Sequence, residues 1–244
     1  MSNQRIKSIE KYYTNIKIDK NYLELYTVRT AIFDFIRASL SKFNGVVLDL
    51  GCGIMPYREF ITGNKPAIKY VGIDFEKPAG AEYEMVKPDL FWDGFTIPLE
   101  DNSVDTVLAT ELFEHCANTD IILKEVFRVL KTGGNLIFTV PFIWNLHLVP
   151  YDEYRYTPFA LKRLLANSGF VDIDLKALGL WDASLAQILG IWFKNRPSRL
   201  KNSFSFLFIW AIKLLLKKDK WFDKSKIYNE GVMLTGISGT AIKN

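Results

Sequence analysis

Two glycines separated by one residue, Gly51-Cys52-Gly53, follow the apolar run Val46-Val47-Leu48-Asp49-Leu50, and an acid, Asp74, stands 23 residues beyond Gly51. Missing side chains let a ligand lie against the backbone. An aspartate at that spacing is placed to accept hydrogen bonds from a ribose. Together they predict a nucleoside-bearing ligand, which the glycines alone do not. A phosphate-binding P-loop is excluded, because no Gly-Lys-Ser/Thr follows the loop. A dinucleotide is disfavoured at the third position of G-x-G-x-x-G, where this chain has Pro56. Proline gives a pyrophosphate no N–H and gives the helix no room for close approach. The pattern favours an adenosine ligand without phosphate, of which S-adenosylmethionine is the example. Asp49 has two readings, contact with that ligand and a structural role capping or bridging the loop amides. Cys52 and Cys116 read as small fillers, since no CxxC or metal-ligand spacing accompanies either.

Such a site needs strands whose ends meet. Val46–Leu50 is a buried-type strand, and Pro56 suits the first turn of the helix after it. Lys69–Asp74, Asp105–Thr110 and Gly134–Val140 read as further buried strands. Helical spacing is found over 19–41, with Leu23, Tyr26, Ala31, Phe35 and Ile36 on one face, and over 120–130, with Gly133 placed to stop the helix. Thr157-Pro158 opens another helix as cap and first-turn residue, and Gly169 ends it. Val171–Leu178 and Val232–Ile242 are the terminal strands, the second weakened by Gly236 and Gly239. Strand alternating with helix predicts an α/β, Rossmann-like, doubly wound sheet that is mostly parallel, with helices on both faces and ligands at the carboxyl ends of the strands.

Composition narrows the class. Hydrophobic residues make up 49% and charged residues 24% of the chain, which excludes disordered and fibrous proteins. Two cysteines and an N-terminal stretch, MSNQRIKSIEKYY, without an apolar core fit a reducing cytoplasm. Charge is uneven: between Lys194 and Lys226 ten basic residues face two acids, so with a total of +4 the rest of the chain carries −4. Inside that segment Phe204–Leu216 is apolar but shorter than the roughly 20 residues a spanning helix needs. It reads as a buried helix, a subunit contact or, given its flanking lysines and arginines, an interfacial segment on an anionic membrane surface.

The motifs resemble the class I S-adenosylmethionine-dependent methyltransferases of the small-molecule, UbiE-like group. VVLDLGCG is similar to their first motif, YVGID to the ribose-binding acid, and WDGFTIPLEDNSVDTVLATELFEH to the stretch from the adenine site through the fourth strand. The resemblance spans about residues 22–169 and implies S-adenosylmethionine as cofactor. It implies that Asp93 accepts from the adenine amine, the Gly94 N–H donates to a ring nitrogen, Phe75 stacks near the adenine and Thr110-Glu111 border the methionine half. Arg29 is then a partner for the ligand's carboxylate. Met55 departs from the family, where many members carry a third glycine. The expected organisation is one such domain over 1–244, with an N-terminal helical cap over 1–44, a helical basic and apolar insertion over 179–230 and an antiparallel last strand.

Methyl transfer from a sulfonium is an in-line displacement in which the protein orients, desolvates and, for a hydroxyl acceptor, removes a proton. The chain has only His115 and His147, and histidine is the side chain that titrates nearest neutrality. His147 lies in the aromatic and charged stretch 141–158, which resembles the P-F-…-H-…-P-x-D-x-x-R-x-T-P segment of bacterial methyltransferases encoded with glycan and lipid biosynthesis enzymes. His147 is therefore expected to be the base or to orient the acceptor, with Asp152, Tyr154 and Arg155 shaping the site. The alternative is that His147 and Arg155 only brace the loop. His115 is the other candidate base, with a structural role as its alternative. No carboxylate cluster with clear metal-ligand spacing is found near the acceptor, so no metal is expected. The expected activity is O-methylation of a small or glycan-type acceptor, lipid-linked or free. An RNA methyltransferase and a non-catalytic cofactor-binding protein are the alternatives. Against RNA, the basic surplus is confined to one segment and the fourth-strand motif is TELFEH rather than Asn/Asp-Pro-Pro-aromatic.

Overall fold

The computed structural model describes residues 9–75 and 86–244; the first eight residues of the expected N-terminal cap lie outside them. Seven strands are present among the described residues: β1 Val46–Leu50, β2 Lys69–Phe75, β3 Leu90–Trp92, β4 Val104–Thr110, β5 Leu130–Pro141, β6 Phe170–Ala177 and β7 Gly236–Lys243. They form one sheet in the order β3-β2-β1-β4-β5-β7-β6. All neighbours are parallel except β7, which runs antiparallel between β5 and β6. This is the doubly wound, Rossmann-like sheet predicted above. Its strand order reverses at β1 and β4, which places the topological switch point beside Gly51 and Thr110.

The helices are α1 Leu23–Ala38, α2 Arg58–Asn64, α3 Thr119–Val129, α4 Pro158–Asn167, α5 Trp181–Lys194 and α6 Ser198–Asp219. Both faces of the sheet are covered because the central strands carry apolar residues on both sides. Leu48, Leu50, Val107 and Leu136 sit in cores with essentially no exposure, and Val47, Leu108 and Ile137 face α1 through Ile32 and Ile36. Thr157 caps α4, its hydroxyl accepting from the Ala160 N–H at 3.3 Å, with Pro158 in the first turn and Gly169 at φ 96° just past the end.

Three local expectations change and one strand is added. Pro56 precedes α2 by two residues, because Tyr57 caps that helix and the Arg58 N–H closes a turn on Met55. Gly133 does not stop α3; the helix ends at Val129, Leu130 turns extended to pair with Val104, and Gly133, at φ 78°, belongs to the register shift in β5. Gly239 is a packing requirement of β7 rather than a weakness, since a Cβ there would lie 2.3 Å from the Phe138 ring. β3 has only three residues, too few for alternation to reveal.

The segment beyond β6 packs on the N-terminal helix. Gln187 on α5 donates to the Glu24 carbonyl at 3.0 Å and Lys194 pairs with the Glu24 carboxylate at 2.7 Å. The apolar run of α6 is mostly not core: only Ile212 and Asp219 of that helix are buried. No helix among the described residues is long and apolar enough to cross a membrane.

Candidate active site

The loop after β1 hangs from the end of β2. Gly51 and Cys52 N–H groups donate to the Ile73 carbonyl at 2.9 and 3.1 Å, and the Gly53 N–H donates to Asp74 Oδ2 at 2.6 Å. The other Asp74 oxygen accepts from the Phe75 N–H at 2.8 Å. Gly51 is at φ 70° with Leu112 closing behind it, whereas a Cβ on Gly53 would meet nothing within 4 Å. Open space in front of backbone is what a ligand lying on the loop requires. Met55 takes φ 53°, the conformation that a glycine adopts freely, and its sulfur fills the room left by Gly72.

Asp49 lies beneath this loop, not on it. It is fully buried and accepts the Tyr70 hydroxyl proton at 2.6 Å, and burial raises its carboxyl to about 7. It contacts neither loop amides nor the cavity described next. Burial, with the Asp49 charge nearby, also pushes the Cys52 thiol far above its ordinary range, and burial raises that of Cys116 to about 12, so neither is a nucleophile at neutral pH.

A cavity of about 250 Å³ opens in front of Gly51, Cys52 and Gly53 and is walled by Arg29, Thr110, Glu111, Trp144 and His147, with Tyr13 and Tyr57 among its other walls. Arg29 donates to the Tyr12 carbonyl and the Tyr13 hydroxyl, both at 3.1 Å, and lies 4.0 Å from the centre of the Tyr13 ring. Glu111 follows β4 at φ 51°, a strained position for a side-chain-bearing residue. Its Oε1 is buried without a hydrogen-bond partner, and burial raises its carboxyl to about 7.

Asp93, Gly94 and Phe75 form a separate corner at the ends of β2 and β3. Phe75 packs against Trp92 with ring centres 5.4 Å apart and planes tilted by 36°, and a Cβ on Gly94 would come within 2.8 Å of the Phe75 ring. Asp93 Oδ1 accepts from the N–H groups of Phe95 and Thr96, both at 2.8 Å, and these bonds hold its carboxyl below the usual range. The three are not walls of the main cavity; Asp74, joined to Gly53 on one side and followed by Phe75 on the other, connects the two.

The loop after β5 folds back over the exit of β4. Glu153 and Tyr154 donate N–H groups to the Glu114 carbonyl, and the Tyr156 hydroxyl donates to the Phe113 carbonyl at 3.0 Å. Asp152 is gripped by both Arg155 nitrogens at 2.7 and 2.9 Å, which drives its carboxyl strongly down. It also accepts from the His147 backbone N–H and ring Nδ1, both at 3.2 Å. Arg155 and Asp152 thus brace His147, which reaches the cavity while they do not. His115 comes within 4.8 Å of His147, ring centre to ring centre, its Nδ1 is 2.9 Å from the Tyr151 carbonyl, and burial lowers its pKa. Sequence reading gave Tyr13, Tyr57 and Trp144 no role in the walls and read Glu114 only as the neighbour of His115. Trp144 lies in the quoted 141–158 stretch; nothing in the sequence marks the two tyrosines.

Residues 48–138 match the family model described as a methyltransferase domain. A demethylmenaquinone methyltransferase of Streptomyces griseus is 29% identical over 133 residues, which are 50% of this chain and 55% of that protein. The chain thus spans about half the length of such a relative. Among solved structures, a phosphoethanolamine N-methyltransferase of Haemonchus contortus in complex with S-adenosyl-L-methionine superposes with a TM-score of 0.53 at 18% identity, covering 99% of this chain and 57% of that one. An S-adenosylmethionine-dependent methyltransferase of Archaeoglobus fulgidus does so with a TM-score of 0.55 at 16% identity, covering 99% and 100%. At these identities the structural likeness speaks for the fold, and the sequence match speaks for the segment from Leu48 to Phe138. Residues 48–138 are thus similar to the methyltransferase-domain family, and the chain shares its Rossmann-like fold with solved S-adenosylmethionine-dependent methyltransferases.

Proposed function

We propose that the protein transfers the methyl group of S-adenosylmethionine to an oxygen of a small or glycan-type acceptor, free or lipid-linked. The observation that carries this is a single cavity walled on one side by Gly51–Gly53 and on the other by Glu111 and His147, so a donor on the loop and an acceptor at the histidine would meet. The residues fit the cofactor: open space stands before Gly53, Arg29 lines the cavity as a partner for a carboxylate, and Asp74 and Asp93–Gly94 continue toward an adenosine. When bound, the sulfonium supplies the electrophilic methyl group. The chain's own contribution is positioning: the open face of the Gly51–Gly53 loop and Asp74 place the donor end, the Arg155–Asp152 pair holds the His147 ring, and His147 orients the acceptor hydroxyl. Asp74→Ala and Asp93→Ala are each expected to weaken S-adenosylhomocysteine at least tenfold in calorimetry, the loss of one hydrogen bond from a charged acceptor. Unchanged affinity in both would overturn the cofactor assignment. Radiolabelled methyl groups followed into the lipid, carbohydrate, RNA and small-molecule fractions of an extract identify the acceptor class; label confined to RNA would refute the glycan-type acceptor.

We further infer peripheral attachment to an anionic membrane through 194–226. The outward stripe of α6 carries Phe206, Leu207, Trp210 and Leu214 beside Lys213 and Lys217, and Trp221 and Phe222 are exposed just beyond it. Exposed aromatics among lysines suit the interface between headgroups and acyl chains. Relatives whose names specify demethylmenaquinone or sterol acceptors support a lipid-facing role. Co-sedimentation with phosphatidylserine-containing vesicles, weakened by salt, is expected; indifference to vesicles sinks the inference.

A further inference from the structure

We propose that Glu114, His115 and His147 bind a divalent first-row transition-metal cation, and that this cation holds the acceptor's hydroxyl oxygen beside the methyl donor. The cation site stands on these three side chains; its task rests on the methyl-transfer reading above.

One ligand-capable atom from each of the three residues lies within 4.8 Å of the others. Glu114 comes from the short 3₁₀ turn Phe113–His115 at the exit of β4, and His147 from the loop after β5, so the site exists only once that loop has docked. The Glu114 side chain has no exposure, and neither of its carboxylate oxygens has a hydrogen-bond partner. A buried carboxylate without partners is costly unless a cation meets it. The nearby guanidinium of Arg155 is already engaged by Asp152.

The histidines are prepared as ligands. The Tyr151 carbonyl can only accept, so His115 Nδ1, 2.9 Å away, carries the proton. Asp152, whose oxygens are held by Arg155, can likewise only accept, so His147 Nδ1 donates its N–H to it at 3.2 Å. In both rings this leaves Nε2 with its lone pair, and an outer carboxylate or carbonyl on the other nitrogen is the usual partner of a metal-bound imidazole. His115 Nε2 stands 3.7 Å from Glu114 Oε1, too far for a hydrogen bond and close to the spacing of two ligands on one cation with bonds of about 2.0–2.1 Å.

Two imidazoles and one carboxylate suit Zn²⁺, Fe²⁺, Co²⁺ or Mn²⁺ better than Mg²⁺ or Ca²⁺, and three protein ligands leave a position open. An acceptor hydroxyl in that position loses its proton to solvent more readily. Its oxygen then forms the O–CH₃ bond as the S–CH₃ bond of the sulfonium breaks, releasing neutral S-adenosylhomocysteine. His147 thereby orients the acceptor through the metal and is not itself the proton acceptor. The absence of recognisable ligand spacing in the sequence has a simple cause: the third ligand is 32 residues away, brought in by a loop.

The test is a titration of chelator-stripped full-length protein with Co²⁺, read by its visible d–d absorption, with S-adenosylhomocysteine affinity measured on the same samples. One equivalent of Co²⁺ should bind and be displaced by Zn²⁺. Glu114→Gln, His115→Ala and His147→Ala should each weaken Co²⁺ at least tenfold, and Asp152→Asn, an outer partner, about tenfold. Because a variant can lose its fold, thermal unfolding is followed as well: Co²⁺ should raise the midpoint of the wild type but not of Glu114→Gln. Protein that binds S-adenosylhomocysteine but no Co²⁺, or Co²⁺ binding that survives all three ligand substitutions, overturns the metal site. Co²⁺ bound through these residues with no affinity for S-adenosylhomocysteine overturns the methyl-transfer reading and leaves the cation site standing.

Discussion

Replacing Asp49 with asparagine should stabilise the protein at alkaline pH and do so progressively less as pH falls. In the folded chain this carboxyl is fully buried against the Tyr70 hydroxyl and titrates at about 7, against 3.8 for the ordinary group, chiefly because burial penalises its charge. A raised folded-state value means the folded protein keeps a proton that the unfolded chain releases. The favourable contribution is therefore complete below about pH 3.8 and is lost as pH rises to about 7, beyond which the charged form is buried at full cost. That interval corresponds to about 4 kcal/mol at most, and about half of it is a reasonable expectation after local relaxation. Asparagine accepts the same Tyr70 proton and never ionises. The stability of Asp49→Asn minus that of the wild type, from urea unfolding at a series of pH values, should then grow by about 2–4 kcal/mol between pH 4 and pH 8. Taking the difference cancels every other titrating group. Because Asp49 stands apart from the cavity, S-adenosylhomocysteine affinity should change less than threefold. Parallel stability profiles, constant to within about 0.5 kcal/mol, would refute the burial argument. A collapse of ligand affinity would return Asp49 to the ligand.

Gly190→Ala should destabilise the protein by about 2 kcal/mol, because the added methyl on α5 would lie 2.7 Å from the Leu23 carbonyl oxygen and 3.1 Å from the Glu24 Cα, backbone atoms that cannot step aside; differential scanning calorimetry checks this, and an unchanged midpoint would contradict the tight α1–α5 crossing. Tyr156→Phe removes the hydroxyl that bonds the Phe113 carbonyl at 3.0 Å and Thr119 Oγ1 at 2.5 Å, so about 1–2 kcal/mol should be lost. Hydrogen exchange should show the 142–157 loop loosening before the sheet does; uniform exchange would deny that this hydroxyl ties the loop down.

The order of elements was legible because the central strands are largely apolar runs and α4 announces both its ends: Thr157-Pro158 and Gly169 are read directly as cap, first turn and stop. Where two neighbouring signals competed, tertiary pairing decided. Leu130 leaves its helix to pair with Val104, three residues before the glycine that seemed to end it. The juxtaposition proposed as the donor side was legible in part for the same local reason, since Gly51, Gly53 and Asp74 lie at consecutive strand ends and the hydrogen bond from Gly53 to Asp74 joins them. Asp49 shows the limit: it belongs to the same motif, yet strand alternation turns its side chain under the sheet to Tyr70, and no spacing rule separates that from a ligand contact.

The proposed acceptor side illustrates a different limit, because its residues are assembled by docking rather than by strand periodicity. Glu114 looked like half of a Glu-His pair at a strand end. It becomes chemically distinctive only when the 142–157 loop covers it, removing water from both its oxygens while bringing His147 alongside and offering no hydrogen bond in exchange. The backbone carbonyl of the same residue receives two N–H donors from that loop, so the contact that buries the carboxylate is the contact that positions the histidine. A fold selected for stability alone would place a glutamine or an aliphatic residue there. Retaining an acid at that cost is understandable if its charge is answered by something the polypeptide does not itself provide, and the lone pairs left on His115 and His147 indicate that it is a cation.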